Sequence, residues 1–469
     1  MRGDMSETQA APSWREVAAT GQLAKFVLLC LGVWLHAADS LLVATVMPAA
    51  VAEIGGIALI NWAFALYHLG SIIASVATGA LAGRIGLRAA LVLAALLYAA
   101  GCATSAVAPS IGPLLAGRLL QGLGGGSMMA LSYVAIHEIF PERFWPRLMV
   151  VVSTIWGCSS LCGPLVGGLF AEAGLWRGAF WAFAGQAAVV LVAAGFLPRG
   201  SRGGGGGWAP LPLALLVAGT IGVASAGALA GAGDWAPVLF GLAGLALLYG
   251  FARLDARQQY RLLPAEALHI GRPIGAGLLM VFALAAATTP FGSYGPLLLG
   301  LLFGVGPLVT GYLMAIESIA WTLASIATAG VAVRQEKSLI RLGAVLIALG
   351  AAGYVLAVPG GSLAGVLACL IAQGAGFGLA WAYMVKRIVA AAPERERGAA
   401  ASSVSSVQLI GYAVGSSASG IAANAAGLGL AATPETGHAA ALSLFAGFVP
   451  MALIGVAAAL RLTRAHPAR

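Results

Sequence analysis

The chain has 469 residues, of which 60% are hydrophobic and 9% are charged, and its formal net charge is +9 at pH 7. A soluble domain usually carries about 25% charged residues, so this composition excludes an ordinary soluble protein and indicates a polytopic membrane protein. A basic balance is also compatible with a nucleic-acid partner, and the positions of the basic residues decide between the two.

The N-terminal 25 residues contain no short apolar region followed by a small-residue cleavage site. We therefore predict no cleaved signal peptide. Residues 1–25 are assigned to a cytoplasmic tail, and the first membrane helix is expected to act as an uncleaved signal.

Fourteen apolar stretches follow one another along the rest of the chain. A helix needs about 20 mostly apolar residues to cross the hydrocarbon core, and unsatisfied backbone groups exclude most other structures there. The stretches cover residues 26–48, 60–82, 89–108, 111–137, 147–171, 178–197, 211–233, 236–252, 273–299, 305–333, 342–358, 362–385, 399–424 and 438–460. The prediction is an all-α polytopic membrane protein with 14 transmembrane helices.

The loops between these stretches alternate in charge. If the N-terminus is cytoplasmic, the inner loops and the C-terminal tail contain Arg84, Arg88, Arg143, Arg147, Arg199, Arg202, Arg253, Arg257, Arg261, Arg272, Arg334, Lys337, Arg341, Lys386, Arg387, Arg395, Arg397, Arg461, Arg464 and Arg469. The outer loops contain one basic residue, Arg177, and the acidic residues Glu53, Glu172, Asp234 and Glu435. This asymmetry follows the positive-inside rule. We therefore predict a multi-pass protein of a bacterial-type cytoplasmic (inner) membrane, with both termini cytoplasmic and no nucleic-acid partner.

Three charged residues lie well inside the predicted spans: Asp39 in the first, Arg118 in the fourth and Glu317 in the tenth. An ionisable group in hydrocarbon costs about 2.5–3.5 kcal/mol on insertion scales, so such residues usually face a cavity or a partner. A desolvated carboxylic acid can hold a proton near neutral pH and release it when the cavity opens to water or a cation arrives. We therefore predict that these three residues couple proton movement. A permanent structural pairing of Asp39 with Arg118 is the alternative.

A second set of residues could line a substrate cavity. His36 lies three residues before Asp39, so the two are neighbours on one helix face, and aromatic rings can hold organic or cationic guests. The candidates are His36, Tyr67, His68, Gln121, Trp321, Gln373 and Trp381. The alternative for each is a packed or lipid-facing side chain, or a satisfied core histidine.

The chain offers no motif for a cofactor. Gly122 and Gly124 lie inside a predicted span and follow no strand, so they do not form a dinucleotide loop. The five cysteines have neither metal-ligand spacing nor a disulfide framework. We predict no nucleotide, no metal, no cofactor and no enzymatic activity.

An internal repeat predicts the domain organisation. Residues 121–143 align without gaps to residues 373–395 at an offset of 252, and the register continues to the pairs Gly163/Gly415 and Gly168/Gly420. Residues 74–78 resemble residues 324–328 at an offset of 250. These pairings map spans 2, 4 and 5 onto spans 10, 12 and 13. We predict two six-helix halves, 26–197 and 273–462, joined by a linker, 198–272, that contains two extra transmembrane helices, and followed by a cytoplasmic tail, 463–469.

Four segments of the first half resemble signatures of the major facilitator superfamily, especially of its fourteen-helix drug:proton antiporters. Residues 39–48 keep the Asp-to-Pro spacing of the antiporter first-helix motif, and residues 117–122 resemble the membrane-embedded arginine motif. The cytoplasmic loop signature is represented by Gly79, Arg84, Gly86 and Arg88, and the exporter motif by Gly163, Pro164, Gly167 and Gly168. Three positions depart from these patterns: Gly83 replaces an aspartate, Leu87 a basic residue and Ser159 a glycine.

The resemblance implies a secondary transporter that exports small organic compounds, drug-like or metabolite, by proton antiport with alternating access. It also implies a substrate site near the midplane between the two halves and function as a monomer in the lipid bilayer. A proton-coupled importer of a small metabolite on the same fold is the alternative. A membrane-embedded sensor or enzyme is less favoured, because the short loops lack clustered His, Asp or Cys.

Topology can be tested with reporter fusions placed after Arg202 and after Arg272. Both positions follow an even number of predicted spans, so both reporters are expected to signal a cytoplasmic location. A periplasmic signal at Arg272 alone would remove one of the two intervening spans.

Overall fold

Helices make up nearly all of the described chain, because a helix satisfies its backbone hydrogen bonds internally and needs no partner strand in lipid. A computed structural model describes residues 14–195, 210–229, 235–258, 261, 263–264 and 266–464, and no strand occurs among them. A short helix, Trp14–Ala19, precedes fourteen long ones. These are α1 (Leu23–Ile54), α2 (Ile60–Ile85), α3 (Leu87–Ala106), α4 (Ile111–Ile139), α5 (Trp145–Glu172), α6 (Trp176–Gly195), α7 (Pro210–Leu229), α8 (Ala236–Asp255), α9 (Pro273–Phe303), α10 (Pro307–Ala327), α11 (Val333–Ala357), α12 (Leu363–Ala391), α13 (Arg397–Ala425) and α14 (Pro434–Arg464).

The predicted count of fourteen helices is confirmed. Twelve of the described helices are long and apolar enough to cross a membrane. The described apolar stretch of α7 is shorter, Pro210–Ala226, and α13 is rich in serine, glycine and alanine. The loop residues Arg199, Arg202, Asp234 and Arg469 lie outside the described residues, so their predicted positions are not tested.

Several predicted bounds are wrong. Helix α1 continues through Pro48 to Ile54, whereas the prediction ended it at residue 48. Helix α11 begins at Val333 rather than at residue 342, because its first turns are charged and therefore lack an apolar signal. Helix α10 ends at Ala327, six residues before its predicted end. Apolarity marks the part of a helix that hydrocarbon covers, and it says little about polar helix ends.

The two halves repeat the same helix pairings. In the first half α4 packs against α2 and α3, α1 against α5, and α3 against α6. In the second half α12 packs against α10 and α11, α9 against α13, and α11 against α14. Each pair recurs eight helices later, which confirms two six-helix halves with α7 and α8 between them. The residue numbers at which we divide the chain into domains stay a prediction.

Recurring glycines explain why the sequence repeat is also a packing repeat. A Cβ atom added to Gly122 would collide with the carbonyl oxygen of Tyr67, and one added to Gly374 would collide with that of Glu317. The two glycines are 252 positions apart, and their two partners are 250 apart. Only glycine allows backbones to approach so closely, so these residues determine how α4 lies on α2 and how α12 lies on α10.

Both ends of the described chain lie at one end of the helix bundle, which we call the basic end. There Arg341 Nε in α11 donates a hydrogen bond of 2.7 Å to Thr463 Oγ1 in the last turn of α14. At the opposite end, Trp176 Nε1 donates a 2.6 Å hydrogen bond to Glu53, and Arg177 forms an ion pair with the same carboxylate. The assignment of the basic end to the cytoplasm stays a prediction.

The two halves meet along two seams. Helix α5 packs against α10, and α2 packs against α13. Helix α7 lies against α13 and α2, and α8 packs on α7. Large apolar side chains of α8, including Val238, Leu242 and Leu245, are exposed, as expected for a helix that faces lipid.

The segment from Gly163 to Gly168 in α5 contacts both α1 and α10. A Cβ atom at Gly163 would lie 2.9 Å from the carbonyl oxygen of Ala38, and one at Gly168 would lie 2.7 Å from that of Pro307. Thr45 Oγ1 also donates a 3.2 Å hydrogen bond to the Pro164 carbonyl oxygen. The segment therefore joins the first helix of one half to the other half.

We expect Gly167→Val to destabilise the folded protein, because a Cβ atom at this position would overlap Thr45 and Leu42. Overpacking of this kind typically costs about 1–3 kcal/mol. The matched control is Gly157→Val on the same helix, where no atom lies within 4 Å of the added Cβ. Thermal unfolding in detergent should show a lower midpoint for the first variant alone, and equal midpoints would contradict this packing.

Candidate functional site

A buried ion pair joins α1 to α4 at the middle of the first half. Arg118 Nη1 lies 2.8 Å from Asp39 Oδ1, and the two side chains are 0% and 1% exposed. Asp39 lies 16 residues after the start of α1 and 15 before its end, so it is about 23 Å from either end. The structure thus brings together two of the three charged residues predicted inside the spans.

Arg118 makes three further contacts. Its Nε donates to the Ala63 carbonyl oxygen at 3.2 Å, and its Nη1 donates to Gln121 Oε1 at 3.2 Å. Its guanidinium carbon lies 4.3 Å from the ring centroid of Tyr67. Gln121 Nε2 in turn donates to the sulfur of Cys102 at 3.1 Å. Gln121, predicted to line a cavity, is therefore placed inside the first half, where it supports Arg118.

Tyr67 connects Arg118 to His36. Its hydroxyl donates to the His36 carbonyl oxygen at 2.8 Å and lies 3.0 Å from His36 Nδ1. Because the single hydroxyl proton goes to the carbonyl, we assign a proton to Nδ1, which then donates to the Tyr67 oxygen. The ring of Trp156 lies edge-on to His36 at 5.8 Å between centroids. His36 is therefore held in one orientation beside the ion pair.

His68 extends this group of side chains across the seam between α2 and α13. Its ring centroid lies 5.9 Å from that of Tyr67 and 5.4 Å from that of Tyr412 in the second half. The Tyr412 hydroxyl accepts a 3.2 Å hydrogen bond from Gln408 Nε2. A continuous row of polar aromatic side chains therefore leads from the ion pair into the other half.

Glu317 lies at the midpoint of α10, separate from the ion pair. Its side chain is partly exposed, and no ion pair joins it to another described residue. Tyr354 and Tyr412 lie close enough to interact with its charge. The described residues contain no group of three or more His, Cys, Asp or Glu that could hold a metal ion.

The remaining cavity candidates lie in the second half. Trp321 stacks on Phe377 with 4.9 Å between ring centroids, and Trp381 lies 6.1 Å from Trp321. Gln373 is buried within the half and accepts a 3.4 Å hydrogen bond from the Tyr354 hydroxyl. The two tryptophans therefore form an aromatic cluster between α10 and α12, which Gln373 does not join.

Sequence reasoning missed Tyr98, Phe377 and Tyr412. Tyr98 donates a 3.3 Å hydrogen bond to the Leu35 carbonyl oxygen and also faces the Asp39 carboxylate. The offset of 252 pairs Tyr412 with Ser160, but only the structure shows that Ser160 lies on the other seam.

The loop signature lies at the basic end, remote from the ion pair. Gly86 has φ of 86° and joins α2 directly to α3, a conformation that favours glycine. Arg84 is exposed in the last turn of α2, and Gly79 lies within the same helix. Arg88 lies in the first turn of α3, and Leu87 packs against apolar clusters. The atypical leucine thus has a packing role.

Comparison with known proteins gives a consistent result. The sequence profile of the Major Facilitator Superfamily matches residues 29–210 and 211–416. A protein named as a probable multidrug-efflux transporter in Mycobacterium tuberculosis is 31% identical over 477 residues, which cover 98% of each chain. The multidrug transporter protein MdtP of Bacillus subtilis is 29% identical over 192 residues, or 40% of this chain and 35% of that protein.

Solved structures share the fold at low sequence identity. A D-xylose-proton symporter superposes with a TM-score of 0.65 and 18% identity, covering 94% of this chain and 97% of that chain. A POT family transporter in complex with 5-aminolevulinic acid superposes with a TM-score of 0.64 and 15% identity, covering 95% and 96%. At these identities the likeness concerns the fold alone.

We expect Tyr67→Phe to lower the free energy of unfolding by about 1–3 kcal/mol, because the carbonyl oxygen and Nδ1 of His36 lose their partner in a buried site. The ring over Arg118 is retained. Tyr249→Phe is the control, since that side chain is 62% exposed on α8. Chemical denaturation in mixed micelles should separate the two variants, and equal stability would show that the Tyr67 hydroxyl contributes nothing.

Proposed function

The chain belongs to the Major Facilitator Superfamily, and we propose that it exports small organic compounds by proton antiport with alternating access. It is a multi-pass membrane transporter and not an enzyme. The proposal of export is supported by the relative named as a probable multidrug-efflux transporter, which matches over 98% of both chains, and by the exporter-type segment from Gly163 to Gly168.

The buried pair of Asp39 and Arg118 is the observation that carries the proposal of proton coupling. Two ions removed from water are tolerated only when each is compensated. If Asp39 takes up a proton, Arg118 keeps the Ala63 carbonyl oxygen, the Gln121 oxygen and the Tyr67 ring as partners. Proton uptake therefore removes the charge of Asp39 but leaves the guanidinium with these hydrogen-bond and ring partners.

Alternating access is supported by where the halves touch. The hydrogen bonds between described residues of the two halves join Ser318 to Ser160, Leu308 to Glu172 and Asn424 to Ala58. The first lies at the middle of the bundle, and the other two lie at its opposite end. We propose that this state is closed at that end, and that the state in which substrate leaves requires these contacts to separate.

The proposed location, orientation and partners are based on the charge distribution and on the family. We propose a bacterial-type cytoplasmic (inner) membrane as the location, with the basic end and both termini on the cytoplasmic side. The partners are then protons, a small organic substrate and lipid, with no nucleic acid or nucleotide, and the functional unit is a monomer. Glu317 is a second candidate proton carrier.

Proton-coupled import of a small metabolite on the same fold is the second candidate. The structural likeness to a D-xylose-proton symporter is compatible with it, although that likeness shows the fold alone. Everted vesicles separate the two directions. Export predicts that an imposed proton gradient concentrates the compound inside everted vesicles, and import predicts no such accumulation.

We expect Asp39→Asn to abolish accumulation driven by a proton gradient while retaining substrate binding, because the amide keeps the size of the side chain and removes its titration. The measurement is uptake into everted vesicles of a compound against which overexpression protects growth. Asp39→Glu, which keeps a titratable group, should retain part of the activity.

The double variant Asp39→Asn with Arg118→Gln distinguishes coupling from a permanent structural pairing. A purely structural pair predicts that transport returns when both charges are removed, since an unpaired buried charge is the costly state. The coupling role predicts that gradient-driven transport stays lost. Full activity in Asp39→Asn alone would assign the carrier role to Glu317.

A further inference from the structure

We propose that Glu172 and Asn424 are gating residues that close the opposite end of the transporter, each through a hydrogen bond between the two halves. This proposal rests on the alternating-access part of the proposed function. It concerns two residues that lie far from the ion pair, at the C-terminal ends of α5 and α13.

Glu172 binds the first free amide of a helix in the other half. Its Oε2 accepts a 3.3 Å hydrogen bond from the backbone N–H of Leu308 in the first turn of α10. Because Pro307 begins α10 and has no N–H, Leu308 provides the first amide of that helix. A Cβ atom at the preceding Gly306 would lie 2.9 Å from the same carboxylate oxygen, so a glycine there admits the Glu172 side chain.

Asn424 makes the corresponding bond on the other seam. Its Nδ2 donates a 2.8 Å hydrogen bond to the Ala58 carbonyl oxygen in the 3₁₀ helix Ile57–Leu59. A Cβ atom at Gly429 would lie 3.0 Å from the Ala58 side chain. The end of α13 is therefore fastened to the segment that leads into α2.

The two bonds are related by the internal repeat. Glu172 and Asn424 are 252 positions apart, and Ala58 and Leu308 are 250 apart, the same two offsets that relate the halves in the sequence. One turn before each gating residue lies a repeated glycine: Gly168 packs on Pro307 and Gly420 packs on Asn61. Equivalent contacts between the halves therefore occur on both seams.

The two gating residues differ in chemistry, because Glu172 accepts its hydrogen bond and Asn424 donates its own. Glu172 brings a carboxylate to a helix N-terminus, where a negative charge is favoured by the helix dipole. Asn424 brings a neutral donor to a carbonyl oxygen. The Glu172 bond therefore depends on charge as well as on hydrogen bonding, whereas the Asn424 bond depends on hydrogen bonding alone.

The position of the Glu172 bond suits a gate better than a permanent joint. Glu172 is exposed, so water can replace the Leu308 amide when the halves separate, and the cost of opening stays small. Within each half the helices are held by close glycine contacts that do not cross the seam. The Glu172 and Asn424 bonds and the glycine contacts beside them all cross a seam, so they can separate without disturbing the packing inside either half.

Pulsed electron paramagnetic resonance tests the proposal through the distance between the halves at this end. Spin labels are placed through Val107→Cys in the first half and Leu430→Cys in the second, both highly exposed at the opposite end, after replacement of the five native cysteines by serine. Glu172→Gln keeps the acceptor and removes the charge, and it should raise the ratio of open to closed distances about 2- to 5-fold. Asn424→Ala should also raise it, and the double variant should raise it further.

The matched control is Glu435→Gln, another exposed carboxylate at the same end, which lies on α14 and forms no ion pair or hydrogen bond to the first half among the described residues. It should leave the distances unchanged. An equal shift in this control, or no shift in Glu172→Gln and in Asn424→Ala, would overturn the proposal.

Hydrogen exchange of the unlabelled protein with its native cysteines gives a second readout. The Leu308 amide should exchange faster in Glu172→Gln than in the wild type, and an unchanged rate would also count against the gate. Neither measurement uses a substrate or a proton gradient. If the distances and the Leu308 exchange rate shift but gradient-driven uptake does not depend on Asp39, the gate is retained and the coupling is rejected. If neither shifts but uptake depends on Asp39, the coupling is retained and the gate is rejected.

Discussion

The ion pair between Asp39 and Arg118 is the interaction on which the first half depends. Removing a carboxylate and a guanidinium from water costs several kcal/mol per ion unless each is paired and hydrogen-bonded. The surrounding helices supply that compensation: α2 gives the Ala63 carbonyl and the Tyr67 ring, and α4 gives Gln121. The glycine that lets α4 approach α2 lies one residue after Gln121. Helix packing and site chemistry are therefore set by the same few residues.

The second half has the same helix packing as the first half but lacks the ion pair. Gly163 faces Ala38 and its repeat partner Gly415 faces Ala286, so the position of Asp39 corresponds to Ala287, and that of Arg118 corresponds to Leu370. The second half has its own acid, Glu317, where the first has Tyr67. Two halves with the same helix packing thus carry different chemistry, and the buried ion pair is confined to the first half. The two proposed gating contacts at the opposite end also differ, since Glu172 is charged and Asn424 is neutral.

Much of the fold could be predicted from the sequence, because burial in lipid imposes long apolar helices and the repeat registers one half on the other. The count of helices and their division into two corresponding six-helix halves followed from these two facts. The end of α1 and the start of α11 could not be predicted. Helix α1 continues past Pro48, and α11 begins in charged turns that give no apolar signal. Asp39 and Arg118 stood out as charges in hydrocarbon, but Gln121 was predicted to face a cavity and instead supports Arg118. The sequence does not show whether a polar residue inside a span faces a cavity or a neighbouring helix, because helix packing determines this.

The proposed antiport requires substrate and proton to move in opposite directions through one carrier. The most direct measurement uses purified protein in liposomes that contain a pH-sensitive dye and no ion gradient. A pulse of a transported compound imposed on one side should acidify the side from which the compound arrives, in proportion to the amount moved. Movement of the compound with no change of pH, or with acidification of the side on which it accumulates, would contradict proton antiport.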